Sequence, residues 1–122
     1  MNIKTSPRSV DDTVSRLREL LDARGIKLFA VIDHSAEPEA AALGLRNTKV
    51  VLFGNPRAGT PVMAAAPLAL DLPLKVLVWD DNGETRLAYT GPTELAARYG
   101  LTDELAAPLA AIDVITDTLI EQ

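Results

Sequence analysis

The stretch LKVLVWDDNGETRLAY, residues 74–89, constrains the fold more than any other part of the chain. Two runs that alternate apolar and polar residues flank Asn82-Gly83. That dipeptide is favoured where both central turn residues need φ > 0, and such a turn joins two antiparallel strands. A β-hairpin here commits the chain to a sheet that is mainly antiparallel. Such a sheet packs one face on a core and leaves the other to find its own cover.

The flanking segments supply the other layer. SVDDTVSRLRELLDARG predicts a helix, with Ser9 as N-cap and Asp11 and Asp12 in the first turn, where the helix dipole favours negative charge. Val10, Val14, Leu17 and Leu21 recur at helical spacing and share one face, and Gly25 ends the helix. NIKTS reads as a first strand. IKLFAVID reads as a second, with Ile26, Leu28, Ala30 and Ile32 on one face and Lys27, Phe29, Val31 and Asp33 on the other. SAEPEAAALGL reads as a short helix closed by Gly44, and TKVVLF as a central, nearly all-apolar strand. Thr60 and Pro61 suit the N-cap and first position of a further helix. GPTELAARYG and TDELAAPLAAIDVITDTLIEQ predict two more, the last with Leu105, Leu109, Ile112 and Leu119 inward. Pro108 lacks the donor that an interior turn requires and should kink or split that helix. The expectation is one α+β domain over residues 1–122, with helices packed on one face of the sheet.

Composition narrows the function. The 122 residues carry a net charge of −5, with no basic run, and only Phe29, Phe53, Trp79, Tyr89 and Tyr99 are aromatic. An acidic surface repels polyanions, so nucleic acid is not an expected partner. There is no cysteine, which removes thiol catalysis, disulfides and zinc–thiolate sites together. The N-terminus shows no apolar signal-peptide core, and the apolar run Val62 to Leu70 is too short to span a bilayer and is broken by Pro67. The expectation is a cytoplasmic chain without a membrane segment.

FGNPRAGTP, residues 53–61, resembles a phosphate-binding loop in its two glycines and their four-residue spacer. The lysine that neutralises phosphate is absent, because Thr60 holds its place, and Pro61 removes a backbone donor. A nucleoside triphosphatase is disfavoured. A weaker anion site with Arg57 as the charge and a strand-to-helix turn both remain open. His34 is the only histidine, so no multi-histidine metal site exists in one chain; a metal would need carboxylates such as Asp33 or Glu37, or a second subunit, and no metal or cofactor is expected. Asp33 and His34 should face opposite sides of their strand and so should not pair. No G-x-S-x-G motif is present. Asp80-Asp81 suits the hairpin turn, and Trp79 suits a core or an interface better than a substrate platform.

The run from Phe29 to Tyr89 resembles the domain-of-unknown-function 302 family. The residues that carry the resemblance are Ile32-Asp33-His34, Gly44-Leu45, Phe53-Gly54-Asn55-Pro56, Gly59-Thr60-Pro61, Met63, Asp71-Leu72-Pro73-Leu74-Lys75 and Trp79. Asn47 departs from the pattern, where a proline is expected. The resemblance implies a five-stranded β-α-β4-α arrangement of TATA-box-binding-protein-like topology and a homodimer, and it carries no reaction. The motif positions that are polar and hard to place in a core are His34, Asn55, Arg57, Thr60, Asp71 and Lys75. If these converge, Arg57 and Lys75 would hold an anionic group, Asn55 and Thr60 would orient it, and His34 would exchange a proton.

Three readings stay open. The first is a non-catalytic ligand-binding or sensory homodimer for a small anionic molecule. The second is an enzyme using His34 with Asp33 or Asp71 on such a molecule. The third is an interaction module built on the loop and Trp79.

Overall fold

The computed structural model describes residues 1–54 and 67–122. Its strands are β1 (Asn2–Ser6), β2 (Lys27–Asp33), β3 (Thr48–Gly54), β4 (Leu74–Asp81) and β5 (Glu84–Tyr89). Its α-helices among these residues are α1 (Val10–Ala23), α2 (Pro38–Ala42), α3 (Pro92–Tyr99), α4 (Asp103–Ala106) and α5 (Ala111–Leu119). The strands form one sheet in the order β1-β5-β4-β3-β2, and every neighbouring pair is antiparallel. The hairpin forms as expected: Asn82 and Gly83 both take positive φ, 54° and 96°, and Asp80 Oδ1 accepts the Gly83 N–H at 2.7 Å. β2 to β5 form a meander. β1 lies at one edge and β2 at the other, and α1 connects them.

One face of the sheet packs on α1 and α5. Val10, Val14, Leu17 and Leu21 of α1 and Ile112, Ile115 and Leu119 of α5 meet Val51, Phe53, Val76, Val78, Leu87 and Tyr89. Each fully buried apolar side chain contributes roughly 1.5–3 kcal/mol, whereas an exposed ion pair contributes roughly 0–1 kcal/mol. This layer therefore outweighs surface pairs such as Lys4–Asp117. Leu68, Leu95 and Leu109 form a smaller cluster, with Leu72, Leu74, Tyr99 and Leu101 against it.

Local chemistry sets the helix ends. Ser9 caps α1 by accepting the Asp12 N–H at 3.1 Å. Pro108 splits the last helix as expected, into α4, a 3-10 turn at Ala107–Ala110, and α5. Where β1 meets α5, a polar cluster is satisfied internally. Tyr89 Oη donates to Asp113 Oδ1 at 2.5 Å, Thr116 Oγ1 donates to Ile112 O at 2.8 Å, and Lys4 Nζ donates to Asp117 Oδ1 at 2.7 Å. Partial burial disfavours the Lys4 charge, but hydrogen bonds to Asp117 and Tyr89 outweigh it and hold its pKa above the usual lysine value.

β2 departs from simple alternation. The pairing jumps from Leu28↔Phe53 to Ala30↔Leu52, so Phe29 is an extra residue in a bulge. Leu28 and Val31 both pack on the core, and Ala30 and Ile32 face away. The expected grouping of Leu28 with Ala30 and Ile32 is thus corrected: one inserted residue flips every later side chain to the other face.

Candidate functional site: the uncovered sheet face

The register fixes what lies on the face opposite α1 and α5. Residues directly paired across antiparallel strands share a face, and the pairs Ile3↔Ala88, Ala88↔Leu77, Leu77↔Val50 and Val50↔Ile32 join end to end. They form one apolar row across all five strands. Leu52 and Ala30 extend it on one side, and Trp79 sits on the other, beside Arg86 and Thr48. Neither core cluster includes Ile3, Ala30, Ile32, Val50, Leu52, Leu77 or Trp79. Among the described residues nothing covers the ends of the row, where Ile3 is 56% exposed and Ile32 44%, whereas Ala88 between its flanking strands is buried.

The two ends of this face carry opposite charge. At the hairpin end, Arg86 is shared by two carboxylates, Nε to Asp81 Oδ2 at 2.7 Å and Nη2 to Glu84 Oε2 at 2.8 Å. Two acids on one guanidinium leave a net negative charge. At the other end stand Lys75, which pairs beside Leu52, and Lys27, which pairs beside Gly54. A Cβ placed on Gly54 would stand 3.3 Å from Phe29 Cε2 and 4.0 Å from Pro73 Cβ, so the bulged Phe29 ring and Pro73 flank this glycine. Lys27 Nζ lies 5.1 Å from the centre of the Phe29 ring, a cation–π contact. Lys75 Nζ donates to Pro73 O at 3.4 Å.

The structure separates the site residues expected from the sequence. Asn55, Arg57 and Thr60 lie outside the described residues. His34 is exposed just past β2, and its N–H donates to Thr48 O at 2.9 Å. Lys75 pairs with Leu52, and Thr48 pairs with Trp79, so four residues of β3 separate the two levels. At about 3.4 Å per residue, His34 stands roughly 14 Å along the sheet from Lys75. Asp71 lies beyond the Lys75 end, between Leu68 and Leu74. His34 therefore shares no end of the sheet with Asp71 or Lys75. Asp33 is not its partner either: Asp33 Oδ1 accepts from Ser35 Oγ at 2.6 Å and from Ser35 N at 2.9 Å, and the Ser35 hydroxyl holds the Asp33 carboxyl below the usual carboxylate value.

Asp71 has a structural explanation. Its Oδ2 accepts from the Tyr99 hydroxyl and from Arg98 Nη1, the latter at 2.9 Å, which ties the segment before β4 to the end of α3. The Tyr99 hydrogen bond, joined by Arg98, lowers the Asp71 pKa, and the Asp71 carboxylate in turn raises the Tyr99 pKa. Asn47, the departure from the family pattern, donates to Asp11 Oδ1 at 2.9 Å, and Lys49 Nζ donates to the same oxygen at 2.5 Å. Sequence reasoning missed Lys27 and Phe29. Only the bulge and the pairing with Gly54 bring them to this end of the face, and neither leaves a local sequence pattern.

A family model described as "Domain of unknown function DUF302" matches residues 2–119. "Fluoride-specific ion channel FluC 1" of Brucella suis biovar 1 (strain 1330) is 35% identical over 115 residues, which cover 93% of this chain and 44% of that protein. The protein of the same name from Brucella abortus biovar 1 (strain 9-941) is also 35% identical over 115 residues, with 42% of it covered. The chain thus spans less than half the length of these relatives. The crystal structure of uncharacterized conserved protein DUF302 from Bacillus stearothermophilus superposes with a TM-score of 0.77 at 20% identity, covering 98% of this chain and 94% of that one. That likeness shows the α+β fold. Among the described residues, no helix is long and apolar enough to cross a membrane.

Proposed function

The chain belongs to the DUF302 family, and on that footing we propose that it is a non-catalytic binding domain for a small anionic molecule, working as a homodimer through the uncovered sheet face. The observation that carries this reading is the row Ile3–Ala88–Leu77–Val50–Ile32, continuous across the sheet and outside both core clusters.

Two arguments favour a second copy as the occupant. Five strands at about 4.8 Å spacing and roughly 20 Å length present about 500 Å² of flat area. Two such faces bury about 1,000 Å² together, the lower bound for a specific interface. A two-fold axis along the apolar row also stacks the row of one copy on the row of the other, with Leu77 over Leu77. The small-anion part is supported by the similarity to proteins named fluoride-specific ion channels, whose anion is proposed here by likeness alone.

Light scattering on the intact chain tests the dimer. The wild type is expected at twice the chain mass, and Leu77→Asp, which puts a charge in the middle of the row, at the single-chain mass. A wild type that is monomeric at every concentration removes the dimer. Thermal-shift titration with fluoride and with inorganic phosphate tests the anion, and stabilisation by neither removes that part.

A further inference from the structure

We propose that the Gly54 end of the uncovered face is a binding site for an aryl phosphate or aryl carboxylate, built from Lys27, Phe29, Gly54, Pro73 and Lys75 of a single chain. The proposal rests on the small-anion part of the function above and not on the dimer.

The geometry has three parts. Gly54 provides a low floor, because any side chain there would meet Phe29 and Pro73. The Phe29 ring and Pro73 are the apolar walls, and Phe29 as a residue is 47% exposed, so it offers surface that the described neighbours do not use. The two ammonium groups are attached to those walls, one over the Phe29 ring and one on the Pro73 carbonyl. Among the described residues both are weakly engaged. A cation–π contact and a long hydrogen bond are each readily exchanged for a charge-assisted bond to an oxyanion. Asp71, two residues before Pro73, is already bound by Arg98 and Tyr99, which limits its repulsion of an incoming anion.

This combination selects a class of ligand. The lysines take the oxyanion, and the Phe29 ring and Pro73 take a flat apolar body, since aromatic pairs add attraction beyond the area they bury. Bare inorganic phosphate would use the lysines alone and leave the walls wet.

The test is amide-resolved NMR titration of the intact chain with phenyl phosphate and with inorganic phosphate, alongside light scattering. The expected result is phenyl phosphate binding at least tenfold tighter than inorganic phosphate, with the largest shifts at Gly54 and Phe29. Lys75→Gln and Lys27→Gln should each weaken phenyl phosphate several-fold, while Phe29→Leu should erase its advantage over inorganic phosphate. Shifts by phenyl phosphate that map elsewhere, or equal affinity for the two probes, overturn this site and leave the general anion reading standing. No shift with any anion removes both. The oligomeric mass reports separately on the dimer, and Leu77→Asp, outside the site, should keep its affinity for phenyl phosphate.

Discussion

Replacing Gly54 with alanine sets two opposed effects against each other. Glycine within a strand is less favourable than alanine by roughly 0.5–1 kcal/mol, because its unfolded chain has more freedom to lose. Against that gain, the new Cβ would stand 3.3 Å from Phe29 Cε2, tighter than ordinary contact by a few tenths of an ångström. Whether this costs much depends on whether the ring can yield. Phe29 is 47% exposed and sits in a bulge on an edge strand, so it can tilt outward without disturbing the core. A small tilt forfeits a fraction of its remaining apolar contact, of order 1 kcal/mol at about 25 cal/mol per Å². The two effects nearly cancel, and the expected net change is within about ±1 kcal/mol, or a few degrees in Tm. Binding responds differently, because the displaced ring no longer lines the notch: the affinity for phenyl phosphate should fall about tenfold, a change of about 1.4 kcal/mol. Differential scanning calorimetry and the NMR titration together read both quantities. A Tm lowered by much more than this would mean that Phe29 is held rigidly and would refute the account of a yielding wall. An unchanged affinity would refute the role of the ring.

Gly91→Ala is a second case of a yielding neighbour: its Cβ would come within 2.9 Å of Asn2 Nδ2, the tip of a flexible side chain whose amide can swing aside at the cost of its 3.5 Å bond to Asp113 Oδ1, so urea melts should show a loss of no more than about 1 kcal/mol. Tyr89→Phe removes the donor to Asp113 Oδ1 while Thr116 keeps its bond to Ile112 O, so the expected loss by denaturant titration is about 1–2 kcal/mol. Asp71 has a lowered folded-state pKa, so its contribution is present above the ordinary carboxylate value and is lost as pH falls through the lower folded one; the stability gap between wild type and Asp71→Asn should narrow below about pH 4. Tyr99 has a raised folded-state pKa, so the same bond holds below about pH 10 and is lost as pH rises through the higher folded value; a gap that stays constant across acid and alkaline urea melts would remove the Asp71–Tyr99 tie as a stabilising contact.

Features set by neighbours in the chain were legible in the sequence. Asn82-Gly83 dictated the hairpin, Ser9 the start of α1 and Pro108 the break before α5, because in each case the cause lies within a few residues of the effect. The second strand was recognised, but its faces were not, since a bulge is set by pairing with β3 and no residue type in KLFAVID announces it. Asp71 looked like a site residue for a similar reason: its partners Arg98 and Tyr99 lie on a helix beyond the hairpin, and nothing local shows that its charge is already satisfied. Lys27 was passed over because its relation to Gly54 exists only once β2 and β3 are in register.

The position of the first strand has a consequence for how the chain is made. Among the described residues β1 pairs only with β5, so the backbone of residues 2–6 has no strand partner until residues 85–89 have been synthesised. The meander from β2 to β5 needs only contacts between successive strands and can assemble as it leaves the ribosome, whereas α1 and its apolar stripe must wait for a surface to settle on. Such late closure slows folding and prolongs exposure of sticky segments. A nascent chain halted before the hairpin should engage holdase chaperones through its first helix, and one extended past Tyr89 should release them.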